Sequence, residues 1–314
     1  MIIHSVTEPN KSFVWSSTGM AFNALGATVF DYEAWVETLR NGIHSPLYDV
    51  DLVIFESVYL EWTGLTVKQL RAIYPKAKVV CLGSDTIYYV VTGKNGGYQI
   101  QHPQDCDLFL EQMSECIDFY EAKGVNVDRW MWTASEWLLN FAAQFKDLEK
   151  ENDFIGVYAP HTISEPGYRQ DMVNYIKNAG RSFSRGDGIG HEDNELDSLL
   201  SWYGRSRYTL ETSSHNNPQL KNCVKGFRTF LGAETNTLLM CDDNPDIIRY
   251  YDDPQGRMIP IYKYGNFQEI IDLADYYDSH PAERNLLITR QRDWVRQNTI
   301  EKQLKRLLTK HKII

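Results

Sequence analysis

Short apolar runs alternate with amphipathic stretches along the chain, regularly enough to assign elements. Met1 to Val6, Asp51 to Phe55 and Ala77 to Leu82 are apolar runs of strand length. Between them, Thr18 to Phe30 reads as a helix, and Val67 to Ile73 has helical spacing closed by Pro75 and Lys76. Gly83-Ser84-Asp85 ends the third run in a loop, and Thr92 to Pro103, with Gly93, Gly96 and Gly97, is a further loop. Leu108 to Lys123 carries Leu108, Phe109, Met113, Ile117 and Tyr120 on one face, which predicts a single amphipathic helix stopped at Gly124. Buried runs separated by helices imply a parallel sheet covered on both faces. The first half is therefore a doubly wound α/β unit.

Trp130-Met131-Trp132 reads as a strand end, and Ser135 to Glu151, aromatic and then charged, as the passage between domains. A second unit opens with the strand Asp153 to Tyr158, which runs into Ala159-Pro160-His161. Gly167 to Lys177 and Leu196 to Tyr203 are helical in pattern, Ser184 to His191 is loop, and Arg207 to Thr212 and Thr237 to Cys241 are strands. Phe267 to Tyr277 and Ala282 to Lys310 close the chain as helices. At 314 residues, two domains are the natural division, and the pattern places them at 1–148 and 149–314.

Composition narrows the chemistry. The net charge of −10 opposes a broad grip on DNA or an anionic membrane, and a local basic groove is all that charge leaves open. Cys81, Cys106, Cys116, Cys223 and Cys241 are scattered, without a C-x-x-C pair, so neither a zinc site nor a disulfide framework is indicated. That usage fits a reducing, cytoplasmic setting. The first residues lack the basic region and cleavage site of a signal peptide, and no apolar stretch approaches the roughly 20 residues of a membrane helix.

Candidate chemistry gathers late in the chain. Lys225-Gly226-Phe227-Arg228-Thr229 leads into a predicted helix, and the acidic turn Asp242-Asp243-Asn244-Pro245 follows the next strand. A helix start offers free N–H groups and a positive dipole end to an anion. Arg228 adds a fork of donors suited to phosphate and Lys225 a mobile charge. The plainer reading is that both cations solvate a helix start. His161, Ser213, Ser214 and Asn217 fall beyond the carboxyl ends of predicted strands, where parallel sheets bind ligands. Neither G-x-G-x-x-G after the first strand nor G-x-x-x-x-G-K-[ST] occurs. Asp242-Asp243 and Asp252-Asp253 read as surface turns, so no metal site is assigned.

The segment Lys225-Gly226-Phe227-Arg228-Thr229-Phe230-Leu231-Gly232-Ala233-Glu234, with the strand and acidic turn after it, resembles glycosyltransferases of the GT-B architecture. Within these it is similar to group 1-like proteins related to the spore maturation protein CgeB. The likeness is clearest in the C-terminal half, where Asn244 to Ile248 and His280 to Arg284 also match. It implies two Rossmann-like domains facing a central cleft, the first on the acceptor side and the second binding a nucleotide sugar. It further implies a UDP- or GDP-sugar donor, no obligatory cofactor or metal, and an acceptor that is a glycan, lipid, protein, small molecule or modified DNA base. On this reading Arg228 and Lys225 stabilise the leaving diphosphate and Asp85 is the acceptor-side base, unless Asp85 only caps a helix. The last helix either crosses back to the first domain or packs a homodimer.

Two positions depart from the family pattern. Leu231 stands where relatives carry a carboxylate for the ribose, and Asn236 where they carry Gly. Glu234, nearly one turn beyond Leu231, either reaches the ligand in its place or is an ordinary solvated helix residue.

Overall fold

The computed structural model describes residues 3–7, 13–31, 49–57, 66–83, 103–131, 133–156, 167–185, 195–212, 227–251, 253 and 257–314. The chain divides into two units: Met1–Ser135 with Ile300–Ile314, and Glu136–Thr299. The sequence-based boundary at 148/149 thus lies within the second unit, and the last helix belongs to the first.

The first unit is a six-stranded sheet in the order β2-β1-β3-β4-β5-β6, every pair parallel. Its strands are β1 (Ile3–Thr7), β2 (Ala27–Asp31), β3 (Leu52–Glu56), β4 (Lys78–Leu82), β5 (Leu108–Glu111) and β6 (Val127–Arg129). Only Lys78 is exposed in β3, β4 and β5, as expected of central strands covered on both faces. Helix α1 (Phe13–Ala24) connects β1 to β2. Helix α2 (Val67–Ile73) starts in a capping box: Thr66 Oγ1 accepts from Gln69 N at 3.2 Å, and Gln69 Oε1 accepts from Thr66 N at 2.8 Å. Arg71 then ties α2 to the amino end of β5 through Asp107 at 2.8 Å, and Val79 N donates to the same carboxylate at 2.7 Å. Burial raises the Asp107 pKa, but the Val79 N–H and the Arg71 guanidinium outweigh it and hold the group below the usual carboxylate value.

Three expectations are corrected. Leu108 to Lys123 is not one helix. Leu108–Glu111 is the strand β5, registered Val80 to Leu108 and Leu82 to Leu110, and α3 (Ser114–Glu121) begins after it. An apolar run of three residues has no period of its own, so burial in the sheet decides it. The first helix starts earlier than Thr18 and ends at Ala24; Gly26, at φ +80, turns the chain into β2. Ser184 lies in the edge strand β8 rather than in a loop.

The second unit is a five-stranded parallel sheet in the order β11-β10-β9-β7-β8. Its strands are β7 (Asn152–Gly156), β8 (Phe183–Arg185), β9 (Ser206–Glu211), β10 (Leu238–Asp242) and β11 (Ile261–Tyr262). Helices α4 (Glu136–Ala142), α5 (Tyr168–Asn178), α6 (Glu195–Gly204), α7 (Phe227–Glu234), α8 (Pro245–Tyr250), α9 (Phe267–Ser279) and α10 (Pro281–Gln297) accompany it. Phe154, Tyr208, Leu238 and Met240 from the sheet pack with Met172, Ile176, Ile270 and Ile288 from the helices. Buried Gln291 stitches α10 to β10, donating to Leu239 O and accepting from Leu239 N, both at 3.1 Å. At Asn298 and Thr299 the helical run breaks, and α11 (Ile300–Lys310) adds Ile300, Leu304, Leu307 and Leu308 to the first unit's core beside Leu52, Ile54 and Val80. Gln303 fixes α11 there, accepting from Met131 N at 2.9 Å.

Candidate functional site

In the second sheet β7 has β8 on one side and β9 on the other, so the segments leaving β7 and β9 diverge. Such a switch point opens a crevice at the carboxyl ends of the strands. The segment after β7 leads to α5 and the segment after β9 to α7, so both helices begin at this rim. Gly232 lets α7 lie close on the sheet: a Cβ there would sit 2.9 Å from Thr209 Cγ2 and 3.3 Å from Thr237 O. The second half of α7 is thereby held against β9. The first turn of α7, from Phe227, is the helix start at which the sequence reading expects an anion.

Around this rim, beside the acidic turn already noted, stand Arg169 and an aromatic pair that sequence reasoning did not single out. Arg169, in the first turn of α5, is 4% exposed. Tyr168 stacks on Tyr264 with ring centres 4.1 Å apart and planes within 4°. The pair is braced by Asp243, whose Oδ1 accepts from Tyr264 N at 2.9 Å. Burial and then the Asp242 carboxylate push the Tyr264 phenol above its usual pKa. Buried Asp242 and Asn244 complete this corner. Burial, Glu211 and Asp242 also raise the Cys241 thiol well above its ordinary value, which makes it no nucleophile.

A pattern visible in the sequence accompanies these positions. Four buried strands close on a carboxylate: Glu56 on β3, Glu111 on β5, Glu211 on β9 and Asp242 on β10. In the first unit, Glu111 accepts from Gln112 N at 2.7 Å and approaches Gly83 so closely that a Cβ there would collide with its Oε2. An acid closing an otherwise apolar run was the signal. It was hidden at Glu111 because that run was read as a helix.

Of the residues assigned from sequence, Asp85, His161, Ser213, Ser214, Asn217, Lys225 and Gly226 lie outside the described residues, as do Trp132, Asp252 and the loop of Gly93, Gly96 and Gly97. Arg228 and Thr229 are described as backbone positions in the first turn of α7. Glu234 ends that helix, at the opposite end from the rim. It is not solvated: it is 1% exposed, and Arg296 holds both its oxygens at 2.7 Å. Leu231 is fully buried. Asn236 has φ +58, a left-handed backbone that favours Gly and that Asn tolerates. Asp253 accepts from the N–H groups of Arg257, Met258 and Ile259 at 2.8, 2.6 and 3.0 Å, so it organises a turn. Among the described residues no group of three or more His, Cys, Asp or Glu is arranged to hold a metal ion, and no helix is long and apolar enough to cross a membrane.

No protein-family model and no curated protein sequence matches the chain. Solved structures do. An alpha-glucosyltransferase in complex with UDP and a 13-mer DNA containing an HMU base aligns at 9% identity and TM-score 0.62, over 99% of each chain. Sucrose-phosphate synthase from Thermosynechococcus elongatus aligns at 11% and 0.59, over 99% of this chain and 98% of that one. Anabaena HepE in complex with UDP-glucose aligns at 11% and 0.53, over 99% and 100%. The fold is GT-B-like. It consists of two doubly wound parallel α/β units, and the likeness spans nearly the whole chain. Within this GT-B-like frame the α7 start occupies the switch-point rim of the second unit.

Proposed function

We propose that the chain is a glycosyltransferase of the group 1-like, CgeB-related kind, moving a sugar from a UDP- or GDP-sugar to a hydroxyl acceptor. The observation that carries this reading is the α7 start at the switch-point rim of a GT-B-like unit, preceded by Lys225-Gly226 and bearing Arg228 in its first turn. Structures of the same fold contain UDP or UDP-glucose, which supports a nucleotide sugar as donor. The diphosphate rests on the first-turn N–H groups, with Lys225, Arg228 and Thr229 around it. Arg169 adds a buried positive charge from α5. His161, Ser213, Ser214 and Asn217 supply polar contacts to the donor.

In the reaction the acceptor oxygen attacks the anomeric carbon while that carbon's bond to the diphosphate breaks. The nucleoside diphosphate leaves with the electron pair, and the acceptor proton passes to a base, for which we assign Asp85. Charge grows on the diphosphate in the transition state, where fixed donors contribute most. The acceptor is a glycan, a lipid, a protein or a modified DNA base. The cytoplasmic setting and the metal independence belong to the same proposal.

A second reading, a nucleotide-sugar or glycan-binding module without turnover, is favoured by one observation. Leu231 is in the core and Glu234 is clamped by Arg296, so α7 presents neither as a free carboxylate for the ribose. Incubation with UDP-, GDP- and CMP-sugars in a strong chelator separates the readings. We expect one donor to stabilise the protein and to be hydrolysed or transferred with chelator present. Binding without turnover across plausible acceptors would favour the module, and loss of turnover restored by Mn²⁺ would overturn metal independence.

A further inference from the structure

Across the second sheet from the carboxyl rim lies a cavity of about 370 Å³. Lys146, Lys150, Arg207 and Arg284 line it, with Asn236 and Asn285 between them and no carboxylate in the lining. Lys150 precedes β7, Arg207 is the second residue of β9 and Asn236 precedes β10. The cavity therefore opens at the amino ends of the strands. A six-residue strand such as β9 separates it from the carboxyl rim by roughly 17 Å.

The charges there are only partly compensated. Asp278 holds Arg207 at 3.4 Å and Arg284 at 3.3 Å, but it also serves Arg181 at 2.7 Å and accepts from Tyr208 at 2.7 Å. Asp153 adds Arg207 at 3.9 Å. Lys150 donates to Gly204 O at 2.8 Å and Thr235 O at 3.1 Å, which are the trailing carbonyls of α6 and α7. Among the described residues it meets no carboxylate. Burial and then the Arg284 charge bring its ammonium down to about 8. Lys150 is thus held by carbonyls, and an entering anion would supply a counter-charge that the lining lacks.

We propose that this cavity is a second anion site, taking a small phosphorylated ligand of diphosphate class, separate from the donor site. The volume falls within the range of roughly 300–1,000 Å³ found for small-molecule pockets. Arg207 and Arg284 present guanidinium forks that suit phosphate oxygens. Lys150 connects the cavity to the trailing end of α7, the helix whose leading end faces the donor. This assignment does not depend on the proposed activity.

Calorimetric titration of inorganic pyrophosphate at constant ionic strength tests it. The variants are Lys146→Glu and Asn285→Asp, both at exposed positions and each adding a carboxylate to the cavity, with Arg228→Ala as the comparison. We expect wild type and Arg228→Ala to retain one pyrophosphate-binding event that each cavity variant weakens about tenfold or more. No binding to wild type, equal affinity in both cavity variants, or loss of that event in Arg228→Ala alone would overturn the second site.

Discussion

Arg228→Ala lowers sugar-transfer turnover by roughly 10²- to 10³-fold while leaving the melting temperature within about a degree of wild type. The expectation rests on where the residue sits. Arg228 is the second residue of α7, at the carboxyl rim of the parallel sheet, where free N–H groups and the helix dipole already favour negative charge. On the proposed reading, a guanidinium there would meet the departing diphosphate as its charge develops. Its removal therefore acts on the transition state more than on donor binding, and kcat falls further than KM rises. Gly232 and Leu231 fix α7 against β9 and the core, so the helix is expected to stay in place in the variant. Steady-state kinetics beside a thermal melt decide the matter. Normal turnover in a folded Arg228→Ala protein removes this residue from the site.

The largest stability effect is expected at Arg296. Substitution by Met removes both hydrogen bonds to Glu234, at 2.7 Å each, and leaves a carboxylate that is 1% exposed. Breaking one partner of a buried ion pair costs about 3–5 kcal/mol, because the remaining charge is stranded. Arg296 is itself 42% exposed and Arg292 lies 3.9 Å from the same carboxylate, so water and Arg292 offset part of that, and the lower end, about 3 kcal/mol, is the expectation. For a unit of this size the melting temperature drops by roughly 6–12 °C. Adding Glu234→Gln to Arg296→Met relieves most of the loss by removing the stranded charge. This double variant also tests the role of Glu234. A structural clamp predicts unchanged donor affinity once the protein is folded, whereas a ribose ligand predicts weaker donor binding with or without Arg296. A stable Arg296→Met protein would show that the carboxylate finds another partner or a proton.

These two sites differ in how far the sequence exposes them. The start of α7 is legible because Gly226 and the cations stand directly before a helical pattern, and local chemistry is enough to read it. The Glu234 clamp is not, because Arg296 is distant in sequence and meets it only once α10 packs beside α7. Helix α2 was readable to the residue from the helical spacing of Val67 to Ile73 and the stop at Pro75, and the structure adds the capping box of Thr66 and Gln69 at its start. Strand β5 was misread because Leu108-Phe109-Leu110 has no periodicity, and its neighbours β4 and β6 decide its conformation. Arg169 and the Tyr168–Tyr264 stack were missed for a related reason. Nothing near Tyr168 in sequence shows that the segment after β11 will arrive beside it.

The central claim is that a diphosphate is held by the backbone at the start of α7. Amide chemical shifts recorded during a UDP titration address it directly. The account predicts that the largest changes fall on the N–H groups of Gly226 to Thr229, saturating together with binding. Saturable UDP binding that leaves those amides unmoved, with the shifts gathered elsewhere in the chain, would contradict it.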